Sequence, residues 1–402
     1  MRIASSQPHL LCVGGEDHRL RIPFMLALRD RGFRITAAGS DDASSFAAAG
    51  VDYCPFQLDR FVNPLVDRSS IGELRNLVNK LQPDIVQSFD TKPNVLVPFA
   101  TRGLHGTAAV RTINGMGWVY SSRSPAAMVL RPVQRVLHRA AANYAAATIF
   151  QNRDDQTFFE RHGMVDSGRS HLIPGSGVDI EKFERALAIA PSPTELRAEL
   201  GLGVSEVVIT VTRLTRQKGI PTLLQAAALV HAQRPTVRFL LVGPRASEGF
   251  LAVSEVELRR HAPYVIATGQ RMDVPALLAL ADVFAFPTEY REGVPRALLE
   301  AGLAGLPIVA TGMPGCNDVV RDGWNGLLVP PRSPRLLAAK ICQLLDDRRE
   351  AAVMGQRAAE RVRDEFGLSL TVSRYCEVYS QLIGTHHPTK ELVCSRTATY
   401  AQ

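Results

Sequence analysis

The chain has no long apolar run. Nothing in its 402 residues approaches the ~18–20 needed to cross a membrane, so a soluble or peripheral protein is expected. The N-terminal MRIASSQPHLLCVGG has a short apolar stretch that passes straight into a glycine turn, which suits a first β-strand better than a signal peptide. Cysteine is sparse. Cys12, Cys54, Cys316, Cys342, Cys376 and Cys394 show no Cys-x-x-Cys or other metal-ligand spacing. They read as reduced thiols of a cytosolic protein, with neither a disulfide framework nor a zinc site. Acidic residues are missing from 93 through 152, where Arg102, Arg111, Arg123, Arg131, Arg135 and Arg139 supply the charge. No aromatic residue interleaves with the last three of these. Bases would have nothing to stack on, so nucleic acid is excluded as a partner.

What is present is apolar and regular. Hydrophobic residues make up 46% of the chain, enough for full cores, and the length suits two domains. A net charge of +7 keeps anionic substrates and an anionic membrane surface open as partners. His9–Val13, Phe33–Ala38, Asp84–Ser88, Ala108–Thr112 and Thr148–Gln151 read as strands, alternating with helices at Leu20–Arg31, Ser70–Leu81 and Pro93–Arg102. The same alternation resumes at Val207–Thr212 and continues through Arg238–Val242 and Val265–Thr268. The expected fold is α/β, two doubly wound units built on parallel sheets. A domain over 1–180, a linker over 181–200 whose Pro- and Ser-rich part gives way to a short helix at Glu195–Leu200, a second domain over 201–365 and an unstructured tail over 385–402 are expected from this reading. Within Pro125–Ala142, Arg131, Arg135 and Arg139 recur every four residues while Val129, Val133, Val136 and Leu137 fill another face. This is a basic amphipathic helix, open to two readings: the solvated face of a globular helix or a membrane contact.

The rest is organised around Ala281–Pro331. Val283–Phe286 is a buried-strand run, Thr288–Gly293 a polar loop, Pro295 the start of a helix that stops at Gly305, and Pro307–Thr311 the next strand. In such a β-loop-α-β unit the helix start points free N–H groups at whatever lies beyond the strand ends, and anions bind well there. Glu292 and Glu300 lie eight residues apart, about 12 Å if all of it were helical. That is too far for a carboxylate pair of the kind retaining glycosidases use at about 5–5.5 Å, so the two have separate tasks.

Glu292-Gly293 followed by Glu300-Ala301, inside PTEYREGVPRALLEA and ahead of PGCNDVVRDGWNGLLVP, resembles the Glu-x7-Glu signature of retaining GT-B glycosyltransferases of family 4. The phrases DTKPN at 90–94 and PGSGVD at 174–179 are similar to enzymes of capsule, exopolysaccharide or O-antigen assembly. The resemblance implies two Rossmann-like domains facing across a cleft, with the last helix, 366–384, crossing back to the first. It implies a nucleotide-sugar donor, UDP-linked as first choice, and retention of configuration, with Glu292 positioning the donor sugar and Glu300 its ribose. The family pattern Arg-x4-Lys-Gly matches Arg213 and Lys218, which would neutralise charge on the leaving diphosphate. The chain contains no Asp-x-Asp, so no metal is expected to bridge it. Gly293 and Val294 would supply N–H groups to the phosphates, and Arg271 would line the base pocket or stand as a surface arginine. The Gly14-Gly15 turn, too short for a dinucleotide fingerprint, is either a plain turn or a place where backbone approaches the donor.

Asn114 stands where the family usually carries a histidine beside the donor sugar, so a proton-transfer role does not carry over. An amide can still hydrogen-bond a sugar hydroxyl. Lys92 and the basic helix at 125–142 would meet a lipid-linked glycan acceptor and the anionic inner face of the plasma membrane. Two further readings stay open: a soluble transferase acting on a small acceptor, and a non-catalytic nucleotide-sugar-binding protein.

Overall fold

A computed structural model describes residues 7–386 apart from 16, 59–63, 123, 246–248 and 250. Arg123, Cys394 and all but the first two residues of the expected tail lie outside the described residues. The chain divides into one unit of Met1–Gly177 with Leu368–Gln402 and a second of Val178–Gly367.

The first unit holds a seven-stranded parallel sheet. Its strands are β1 His9–Gly14, β2 Arg34–Gly39, β3 Asp52–Pro55, β4 Ile85–Phe89, β5 Ala108–Ile113, β6 Ala147–Phe150 and β7 Ser170–Leu172. They lie in the order β3-β2-β1-β4-β5-β6-β7. Apart from the edge strands β3 and β7 they are buried nearly throughout, as continuous apolar runs covered on both faces must be. The helix Leu368–His386 packs on this unit, not on the one that precedes it in sequence. Its buried Tyr379 donates to Gln87 Oε1 at 2.8 Å, and its buried Tyr375 hydroxyl lies 3.1 Å from Thr112 Oγ1. A tyrosine suits such a place because it buries a ring and still satisfies its hydroxyl.

The second unit holds a six-stranded parallel sheet of β8 Val207–Val211, β9 Arg238–Val242, β10 Val265–Gly269, β11 Val283–Phe286, β12 Ile308–Thr311 and β13 Leu327–Val329. Its order is β10-β9-β8-β11-β12-β13. In each sheet the order of strands reverses once, between β1 and β4 and between β8 and β11. At such a reversal neighbouring loops leave in opposite directions and open a crevice outside the strand ends.

Several segments depart from the sequence reading. Within the expected linker 181–200, Ile180–Ala188 is a helix capped by Asp179, which the sequence reading lacked, whereas the short helix expected over Glu195–Leu200 is present as Pro193–Glu199 with a Ser192/Glu195 capping box; both belong to the second unit. The short helix Ala43–Ala48, the edge strands β3 and β7 and the helix Arg153–Arg161 are additional to the elements expected from the sequence. The helix Pro125–Ala142 is present, but it buries Ala127, His138 and Ala141 and exposes Met128 (55%), Val129 (71%), Val133 (47%) and Val136 (62%). Its arginines fold back instead. Arg131 donates to the carbonyls of Val119 and Ser122 at 3.0 and 2.7 Å, Arg139 donates to His162 O at 2.7 Å, and Arg135 lies over the Phe158 ring. No helix among the described residues is long and apolar enough to cross a membrane.

Candidate functional site

The residues singled out in the sequence gather at the strand-order reversal of each unit. In the second unit, β8 ends at Val211 and its loop carries Arg213, Lys218 and Gly219 into the helix Ile220–Gln233. β11 ends at Phe286, and its loop carries Thr288, Tyr290, Glu292 and Gly293 to the helix Arg296–Leu303. The two loops meet. Lys218 Nζ pairs with Glu292 Oε1, with side chains only 11% and 15% exposed. Thr288 Oγ1 donates to the same oxygen at 3.2 Å, and the Lys218 ammonium lies 5.4 Å from the centre of the Tyr290 ring. Glu289 N–H also donates to Gln217 O at 2.9 Å, so the loops are joined along the backbone as well.

Two glycines make this approach possible. Gly219 caps its helix at φ +71°, and a Cβ there would lie 1.8 Å from Pro287 O. Gly315, at φ +82°, would bring a Cβ to 1.8 Å from Gly293 O and 3.1 Å from Glu292 O. The Glu292 loop is thus clamped at its start and at its end by backbone that tolerates no side chain. Beneath it lies buried Cys316. Burial first, and the charge of Glu292 second, push its thiol well above the ordinary range, so it stays protonated and inert. Gly315 and Cys316 stood in the phrase that carried the resemblance, but the sequence assigned neither of them a place in the site.

The remaining expected contacts are placed differently. Glu300 lies one turn into the helix Arg296–Leu303, 18% exposed, and accepts from Arg296 Nε at 2.8 Å. Pro295 is the helix cap rather than its first residue, leaving Gly293 and Val294 in the loop ahead of it. Arg213 is exposed in the β8 loop. Arg271 is engaged by carboxylates: it pairs with Asp273 through Nε and Nη2 at 2.8 and 2.6 Å and with Glu199 at 2.6 Å. Asp273 first and Glu199 second hold its guanidinium protonated even more firmly than usual.

In the first unit, Gly14 ends β1 and Gly15 follows it; Asp90 follows β4 and Asn114 follows β5. Gly15 N–H donates to Asp90 Oδ2 at 3.1 Å, and Asn114 Nδ2 donates to Asp90 Oδ1 at 3.3 Å. Arg21 pairs with Asp90 Oδ1 at 2.6 Å and stacks on the Phe89 ring. Nearby His18 is fully buried and donates from Nε2 to Cys12 O; burial first and Arg21 second lower its pKa to about 4, so it stays neutral. Lys92 pairs with Asp67 at 2.5 Å, both 18% exposed. Asn94 is buried, accepts from Ser88 Oγ and donates to Thr112 O, tying its helix to β4 and β5.

Two doubly wound parallel-sheet units, each gathering polar loops where its strand order reverses, define the GT-B class. Family models match both: "Glycosyl transferase 4-like domain" over residues 24–175 and "Glycosyl transferases group 1" over residues 205–347. The chain belongs to this family and is a glycosyltransferase. It is 23% identical over 373 residues to the N,N'-diacetylbacillosaminyl-diphospho-undecaprenol alpha-1,3-N-acetylgalactosaminyltransferase of Campylobacter jejuni, covering 92% of this chain and 97% of that one. It is 25% identical over 332 residues to the UDP-Gal:alpha-D-GlcNAc-diphosphoundecaprenol alpha-1,3-galactosyltransferase of Escherichia coli, covering 81% and 82%. Among solved structures, HepE of Anabaena in complex with UDP superposes with a TM-score of 0.75 at 21% identity, over 93% of this chain and all of that one, and shares its fold.

Proposed function

We propose that the protein moves a sugar from a nucleotide sugar, UDP-linked as first choice, to a lipid-linked or glycan acceptor in the building of a bacterial surface polysaccharide. Transfer retains configuration and needs no metal. The observation that carries this is the Lys218–Glu292 pair at the strand-order reversal of the second unit. An ammonium has three donors. One is held by Glu292, and the others are available to a diphosphate, whose departure needs cationic help from Lys218 and Arg213. Glu292, held by Lys218 and Thr288, positions the donor sugar, backbone at Gly293 and Val294 faces the phosphates, and Glu300 takes the ribose. The named relatives act on diphosphoundecaprenol-linked sugars, one of them from UDP-Gal, which favours a lipid-linked acceptor and a UDP donor here.

The test is transfer from a panel of nucleotide sugars to a lipid-linked diphosphate glycan in the presence of chelator, followed by anomeric analysis of the product. Transfer with retention, unaffected by chelator, is expected. A requirement for added Mg²⁺ or Mn²⁺ would remove the metal-free mechanism, and silence with every nucleotide sugar would remove the reading itself.

The helix Pro125–Ala142 is the element we assign to the membrane, on the cytoplasmic face. Val129, Val133 and Val136 share one exposed side of the helix, with Met128 exposed beside it, in a stretch that carries arginines and no carboxylate. Apolar side chains that enter the headgroup region beside cations suit an anionic lipid surface. Replacing Val129, Val133 and Val136 by serine is expected to lower partition onto phosphatidylglycerol vesicles by about tenfold or more, at unchanged melting temperature. Equal partition of both proteins would show that this face does not dock.

A further inference from the structure

Asp90 has no role in the reading above, yet loops from three strands of the first unit converge on it. It follows β4 at φ +69°, a conformation that aspartate tolerates better than most side chains, and its backbone carbonyl accepts from Asn94 N–H at 3.1 Å. Its carboxylate takes Gly15 N–H from the β1 loop on one oxygen and both Arg21 and the Asn114 amide on the other. A carboxylate paired to arginine accepts hydrogen bonds and donates none. The Asn114 side chain therefore has only one workable orientation, NH₂ toward Asp90 and Oδ1 away from it. That Oδ1 is buried and has no hydrogen-bond partner among the described residues. A buried carbonyl oxygen without a donor is costly, and a ligand hydroxyl removes the cost.

We propose that Asp90 is a positioning residue of sugar transfer: it holds Asn114 so that position 114 presents a hydrogen-bond acceptor, and not a donor, to a hydroxyl of the bound sugar. This rests on the transferase reading given above. The polarity is a consequence of the pair. An asparagine left to itself offers either end, and only the fixed carboxylate behind it decides which.

The experiment compares wild type, D90N, N114D and the exchange D90N/N114D. The readouts are kcat/KM for the nucleotide sugar that wild type uses best, melting temperature, and the shift in melting temperature on adding UDP. In D90N the amide at 114 is free to turn, and kcat/KM is expected to fall about tenfold or more while the UDP shift is unchanged. The exchange restores an acceptor at 114 with the same net charge and is expected to recover most of that loss. N114D alone faces one carboxylate with another and is expected to do worse than the exchange. D90N within about twofold of wild type, or an exchange no better than D90N, would overturn the inference while leaving the transferase reading in place. A lowered melting temperature in all three variants without rescue would show a purely structural Asp90. Absence of transfer by wild type from any nucleotide sugar overturns the transferase reading and this inference together.

Discussion

Lys218→Ala is expected to lower kcat by about a hundredfold to a thousandfold, the range seen when one preorganised donor to developing charge is removed. The ammonium is fixed before substrate arrives, by Glu292 on one side and the Tyr290 ring on the other. No reorganisation is then needed as charge grows on the leaving diphosphate, and low exposure keeps water from screening it. The substitution has a second effect. Glu292, only 15% exposed, loses its cation and keeps the Thr288 hydroxyl at 3.2 Å, at a stability cost of about 1–3 kcal/mol. Glu292→Gln separates the two: it preserves shape and a hydrogen-bonding group, so UDP binding should survive while transfer is crippled. Isothermal titration with UDP alongside steady-state kinetics checks both. K218A with wild-type kcat, or E292Q with wild-type kcat, would take that residue out of the mechanism.

The alternation of strands and helices was legible because buried parallel strands are continuous apolar runs, several of them, such as β1, β2, β9, β11 and β12, closed by glycine or proline. Short elements were not legible. Ala43–Ala48 and Asp52–Pro55 are too brief and too polar to declare themselves without the sheet they pack on. The helix Ile180–Ala188 did carry its own signal: Asp179 as cap and Ile180, Phe183 and Leu187 on one face. The Pro and Ser residues just beyond it masked that signal. Periodicity found the helix Pro125–Ala142 but not its orientation. Its inward contacts are made by alanines and a histidine, and arginines bond nearby carbonyls, so the larger apolar residues were left outside. In the site, Lys218 and Glu292 are 74 residues apart, and only the family pattern joined them in the sequence. Asp90 stood inside a phrase that carried the resemblance, but its hub role depends on loops from β1 and β5, which sequence separation hides.

A parallel between the units makes sense of these placements. At each strand-order reversal a carboxylate joins the two diverging loops: Asp90 bonds Gly15 across β1 and β4, and Glu292 bonds Lys218 across β8 and β11. Loops that leave in opposite directions share no continuous backbone ladder; in the second unit a single backbone bond, Glu289 N–H to Gln217 O, joins them, and the carboxylate adds a side-chain tie where a ligand is to be held at fixed distances. In the second unit the tie works only because the backbones come unusually close. Gly219→Ala tests that dependence. Its Cβ would lie 1.8 Å from Pro287 O, a backbone atom that cannot swing aside, at a φ of +71° that alanine disfavours by about 1 kcal/mol or more. The loop carrying Glu292 must then shift, and a displacement near 1 Å at a reacting group is worth about a hundredfold in rate. Gly315→Ala presses on the other end of the same loop, 1.8 Å from Gly293 O, and should act alike. The expected result is a protein that still melts cooperatively, at a lower temperature, with kcat down about a hundredfold or more in either variant. Because both substitutions move one loop, their combination should cost much less than the product of the two losses. Full activity in G219A would mean that the loop finds its place without the clamp, and fully multiplicative losses in the pair would mean that the two glycines govern different things.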